Sequence, residues 1–173
     1  MPPAIHDMRG GERAPLRRLK PMAYSTAEAR QEMLDTIADA IDDVAVALAD
    51  LGEAYELLDD TTADRLEGEL FKPVQSASAR LKRTHAAFAA RYGLVARAAA
   101  SVTPGPPSQG PRGFVDHAVS AAARADGRLA ELQDSLRPVD VGDAELRAGL
   151  SETRRIVADV PGRARLFLRT LGR

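Results

Sequence analysis

From residue 34 the apolar positions fall at Leu34, Ile37, Ile41, Val44, Leu48, Leu51, Tyr55 and Leu58, a strict alternation of three and four. That is the seam of an amphipathic helix, with Ala and acids filling the other faces. Ser25, with Glu28 three residues on, has the form of a capping box, so the pattern predicts a helix over 26–59. At 1.5 Å per residue it is about 50 Å long. The polar run 59–64 breaks it, and Thr61 or Thr62 can cap the next helix.

A second seam reads Leu66, Leu70, Val74, Ala77, Leu81, Thr84, Phe88 and Tyr92, interrupted by Pro73. Proline removes one backbone bond and clashes with the carbonyl four residues earlier, so a kink near 69–73 is expected. Gly93 can end this helix, with 94–100 adding a ragged turn or two. Residues 101–113 carry four prolines and three glycines and read as a loop. A third stripe, Val115, Ala118, Ala122, Ala125, Leu129, Leu132 and Leu136, predicts a helix over 114–137. Asp143 caps a fourth helix bearing Leu146, Leu150, Thr153, Val157 and Val160, which Pro161-Gly162 ends. The basic segment 163–173 can form a short fifth helix docked on the bundle end.

Two long helices joined by a short turn lie antiparallel. The expected fold is all-α: an elongated up-down-up-down four-helix bundle over 25–173, with a kinked second helix and a basic, flexible arm over 1–24. The fourth helix, at about 27 Å, is too short to cover the first hairpin. Apolar surface left at the far ends would invite a second copy, unless the arm or the C-terminal segment covers it.

Charge refines this. Net charge is −1, but residues 26–69 hold 14 acids against Arg30 and Arg65, while 70–100 hold six bases and no acid. In an antiparallel hairpin Asp35, Asp39, Asp42 and Asp43 fall opposite Arg80, Lys82 and Arg83, so the two blocks should zip together. Aromatics are only 4% of the chain, which favours close helix packing over a sheet.

Without cysteine, disulfides, thiolate catalysis and Cys-based metal centres are excluded. No apolar run reaches the ~20 residues of a membrane span, and 1–24 has no apolar leader, so a cytoplasmic protein is expected. His6, His85 and His117 fall in no Glu-x-x-His or His-Glu-x-x-His pattern. There is no phosphate-binding loop and no Gly-x-Ser-x-Gly. The acids Glu53, Glu56, Asp59, Asp60 and Asp64 cluster at the first turn, where a divalent cation is conceivable without the spacing of a calcium loop. A pI near 6.3 does not favour nucleic acid.

His6, Arg9, Arg13 and Arg17 are spaced along one helical face in "IHDMRGGERAPLRR". This resembles the signature of conserved-histidine α-helical domains, which implies anion binding, to polyphosphate, through those four residues. Gly10-Gly11 and Pro15 depart from that pattern. "YELLD" at 55–59 has the Tyr-x-x-x-Asp form of helical-hairpin substrates of bacterial export systems, but it ends the first helix and no Trp-x-Gly turn exists. The chain therefore reads as a non-enzymatic interaction or scaffold module, needing no cofactor, that self-associates or holds a protein partner. The alternatives are an anion-binding module using the basic arm and a small metal protein using the acidic turn. The C-terminal segment offers a secondary chance of membrane-surface contact.

Overall fold

The computed structural model describes residues 19–171, with side chains from Ser25 onward. Among these residues every regular element is helical. α1 (Leu19–Glu56) begins earlier than the capping box suggests, because Pro21 falls in the first turn, where its missing N–H needs no partner. α2 (Asp60–Leu66) follows a short turn, and its cap is Asp59 rather than Thr61 or Thr62. The Asp59 carboxylate accepts from the Thr62 backbone N–H at 3.0 Å and from its hydroxyl at 2.7 Å.

α2 runs through a π segment, Glu67–Phe71, into α3 (Lys72–Tyr92). The expected distortion ahead of Pro73 therefore takes the form of a widened turn. The Lys72 N–H reaches back five residues to the Glu67 carbonyl, which makes room for the proline ring. Gly93 closes α3 in the left-handed region, φ 61°. α4 spans Gly110–Asp134, starting four residues before the expected 114 because Pro111 suits a first turn. After the single turn α5 (Arg137–Asp140) come α6 (Ala144–Val157), capped by Asp143, and α7 (Val160–Thr170). Pro161 thus opens α7 instead of ending the helix before it.

Cross-helix pairs give the directions. Arg30 stacks over Tyr92, and Asp42 and Ile41 share a cavity with Lys82 and His85, so α3 runs antiparallel to α1. Asp50 meets His117, Asp43 meets Arg124 and Arg128, and Glu32 meets Arg137, so α4 also runs antiparallel to α1. Hence α3 and α4 are parallel to each other. Strict up-down-up-down alternation does not fit these pairings. The segment after Gly93 must carry the chain back along the molecule before α4 can start.

α6 pairs antiparallel with both α3 and α4, through Arg80–Glu152, Arg91–Asp143 and Arg154–Asp126. α7 prolongs the line of α6: Arg112 of α4 donates to the Leu168 carbonyl, and Arg65 of α2 donates to the Thr170 hydroxyl. Together α6 and α7 reach the far end of the hairpin. Phe167 and Leu168 are buried there, against the π segment and α4. The C-terminal segment docks as expected and covers part of the apolar surface that a lone fourth helix would leave open, while Tyr55, Leu57 and its own Leu166 stay exposed.

All four seams are buried for most of their length. The exceptions are Tyr55 and Leu136, which face solvent. Leu136 also holds a positive φ of 61°, alone among non-glycine described residues. α1 buries more than its seam, since Met33, Ala40, Ala47 and Ala54 form a second buried stripe. These small side chains let α4 lie close along α1 over most of its length.

Candidate functional site

The connection from α3 to α4 is an extended strap over residues 94–106; a helical turn or two was expected over 94–100, and the loop expected from 101 is present up to 106. It is pinned to α1 at successive heights. Gln31 and Val95 exchange two hydrogen bonds, Nε2 to the Val95 carbonyl at 2.9 Å and Val95 N–H to Oε1 at 3.1 Å. Arg97 pairs with Asp39 at 2.6 Å and with Asp42 at 2.8 Å. The Ala100 N–H donates to Asp42 at 3.1 Å, and the Gly105 N–H donates to Asp50 at 2.7 Å. From Gln31 to Asp50 the helix rises about 28 Å, and ten extended residues cover about 33 Å at most. The strap is therefore nearly straight, with α1's carboxylates as its anchors.

This corrects the expected charge zipper. Asp39, Asp42 and Asp43 do not pair with Arg80, Lys82 and Arg83. They pair with Arg97 of the strap and with Arg124 and Arg128 of α4. Arg80 turns instead to Glu152 on α6. The register of the hairpin is as expected, but α3 presents its bases to α6 and to solvent, while α4 and the strap flank the acidic side of α1.

Two histidines lie against the strap. Asp50 is fully buried. One of its oxygens takes the Gly105 N–H and the other is bonded to Nδ1 of His117 on α4. That bond orients the imidazole of a side chain that is 39% exposed. A buried carboxylate needs such partners, because an unpaired one is costly. Gly105 lies close to both groups: a Cβ would stand 2.4 Å from Gln109 Nε2 and 3.3 Å from Asp50 Oδ1, so the Gln109 side chain would have to move. Gln109 Nε2 is buried without a partner among the described residues. Chemically, an imidazole held by a buried carboxylate is suited to general-base work. His117 lines neither the cavity beneath the strap nor the grooves at the α1–α2 turn, however, and both Asp50 oxygens serve the fold.

His85, at mid-height on α3, is 8% exposed, and its Nε2 is buried without a hydrogen-bond partner among the described residues. It lines a cavity of about 160 Å³ with Ala38, Ile41, Asp42, Lys82, Arg97, Ala98 and Ala99. Burial, then the charge of Arg97, hold His85 below the usual imidazole pKa, with Asp35 working against them.

At the α1–α2 turn two grooves flank the π segment. One, of about 270 Å³, is lined by Gly52, Tyr55, Glu56, Glu67 and Phe71. The other, of about 350 Å³, is lined by Arg65, Glu69, Arg163 and Leu166. Tyr55, Leu57 and Leu166 are exposed there.

The anion-binding candidates His6, Arg9, Arg13 and Arg17 lie outside the described residues. The acidic turn does not form a metal cage: among the described residues no three His, Asp or Glu side chains converge as ligands. Asp59 is used as a helix cap, and its bonds to Thr62 hold its pKa below the ordinary carboxylate value. No described helix is long and apolar enough to cross a membrane. Sequence periodicity alone missed Asp50, although a signal exists. Asp50 lies three residues after Ala47 and four before Ala54, an acid on a stripe of small buried residues. Comparison with protein-family models, with curated proteins and with solved structures gives no match.

Proposed function

We propose that this chain is a non-enzymatic interaction module, a four-column helical bundle closed by a crossover strap, and that it self-associates. The observation that carries this reading is the end of the molecule at the α1–α2 turn. Exposed Tyr55, Leu57 and Leu166 sit there among charges that make no ion pair or hydrogen bond with any described residue, including Glu53, Glu56, Asp64, Arg165 and Arg169. Further along α1 the acids Glu32, Asp39, Asp42, Asp43 and Asp50 each have a basic or backbone partner. The Asp50–His117 pair, the most enzyme-like feature, is tied to the strap and supports a structural role. Sedimentation equilibrium of the full chain tests the reading. A mass of twice 18.5 kDa is expected, and a monomer at every concentration would overturn it.

A further inference from the structure

We propose that two copies pair across the α2–π ridge, about a two-fold axis at Gly68, each seating its arginine-flanked Leu166 in the acidic groove of the other. This rests on the self-association reading and names its surface.

Around the ridge, Leu66 and Leu70 point into the core. Glu67 and Phe71 line the groove towards α1, and Arg65 and Glu69 line the groove towards α7. Helical geometry then places Asp64 and Gly68 outward, between the two grooves, and both are exposed. The groove towards α1 holds two carboxylates, of which Glu67 pairs with Lys72 at 3.6 Å, while the groove towards α7 holds the Arg65–Glu69 pair and borders the basic outer face of α7. On the α1 side, Glu56 and Glu67 border an apolar floor of Gly52, Tyr55 and Phe71. On the α7 side, Leu166 is 60% exposed between Arg163, Arg165 and Arg169. Arg165 and Arg169 have no acidic partner among the described residues.

A two-fold operation through the ridge lays each groove over its opposite in the second copy, so one patch pair is made twice. Gly68 allows the approach. Its φ is not in the left-handed region and an added Cβ would meet nothing within 4 Å, so the monomer's own packing does not require a glycine there. Its absent side chain keeps the ridge flat where two helices would cross. The charges choose the partner and its orientation, while Tyr55, Phe71 and Leu166 supply the apolar area.

The test uses the full chain. Gly68→Leu places a strong helix former in the ridge, so helicity by circular dichroism and Tm should hold or rise while the dimer dissociates. Arg165→Glu with Arg169→Glu, and separately Glu56→Lys with Glu67→Lys, should each be monomeric, with dimer Kd raised roughly 100-fold or more. An equimolar mixture of the two charge variants should dimerise again, because each then meets a complementary groove on both sides. Persistence of the dimer in folded Gly68→Leu, or no dimer in the mixture, overturns this surface and leaves self-association standing. A wild-type chain that is monomeric throughout overturns the self-association reading itself.

Discussion

Asp50 and His117 form an acid–imidazole pair that joins α1 to α4, and the same carboxylate also holds the end of the strap through the Gly105 N–H. The pair therefore couples three elements. Asp50 is fully buried, so Asp50→Ala leaves an orphaned N–H and an unanchored imidazole. The expected loss is about 3 kcal/mol in urea unfolding. His117→Ala leaves the buried carboxylate with one partner fewer and should cost about 2 kcal/mol, reduced because the imidazole is partly exposed. The double variant should lose clearly less than the sum, since removing both partners removes the unpaired charge. Additive losses would show that the two side chains are not energetically linked.

The strap should open in steps, because its anchors differ. Arg97 meets Asp39 and Asp42 at a solvent-exposed site, where such pairs contribute about 0–1 kcal/mol. Gly105 is tied to a carboxylate inside the core. Asp42→Ala removes an acceptor from both Arg97 and the Ala100 N–H. Amide exchange at Ala100 should then rise at least about tenfold, with little change at Gly105 and none in the middle of α4. Equal acceleration at Ala100 and Gly105 would mean that the strap lifts as a unit.

Acid should loosen the strap through His85. Its folded pKa is depressed, by burial first and then by Arg97. The unfolded chain therefore binds the proton more readily, and stability rises with pH across that window. The contribution is in place above the ordinary imidazole pKa of about 6.5 and is lost as pH falls below it. Facing groups are Asp35 and Asp42 on α1, Lys82 on α3 and Arg97 on the strap. His85→Leu should flatten the fall in unfolding free energy between pH 7 and pH 5. Asp59 and Asp143, whose pKa values are lowered, lose their contributions only in the more acidic carboxylate range. An unchanged slope in His85→Leu would exclude this histidine as its source.

The helices were legible because burial enforces periodicity. Leu34 to Leu51, Leu66 to Phe88 and Val115 to Leu132 sit where their spacing puts them, on core-facing stripes. The chain direction of α4 was not legible. Periodicity is the same whichever way a helix runs, and the deciding information lies in a stretch with no period at all. There, Gln31, Asp39, Asp42 and Asp50 hold the strap with side-chain bonds to its backbone and to Arg97. An excess of acid on α1 announced that partners exist, but not that a loop would take them. The fifth helix was legible in the basic C-terminal segment, but its start was misplaced. Pro161-Gly162 looks like a terminator, and only the buried Val160, Ala164 and Phe167 reveal a helix start.

Two glycines in regular helix separate packing from propensity. Gly127, midway along α4, is exposed, and an added Cβ would meet nothing within 4 Å. Gly127→Ala should stabilise the chain by about 0.5–1 kcal/mol, since alanine loses less conformational entropy in a helix. Gly149 faces α3 from α6, where a Cβ would stand 2.1 Å from Thr84 Oγ1 and 2.9 Å from Thr84 Cβ. Thr84 cannot turn both atoms away, because its hydroxyl donates to the Arg80 carbonyl and its Cβ is fixed to the backbone. Gly149→Ala should therefore force α6 from α3 and cost about 1–3 kcal/mol despite the same gain in propensity. Urea midpoints that shift in opposite directions for the two variants would place the α3–α6 approach under steric control. A midpoint for Gly149→Ala at or above wild type would mean that this helix pair can spread at no cost.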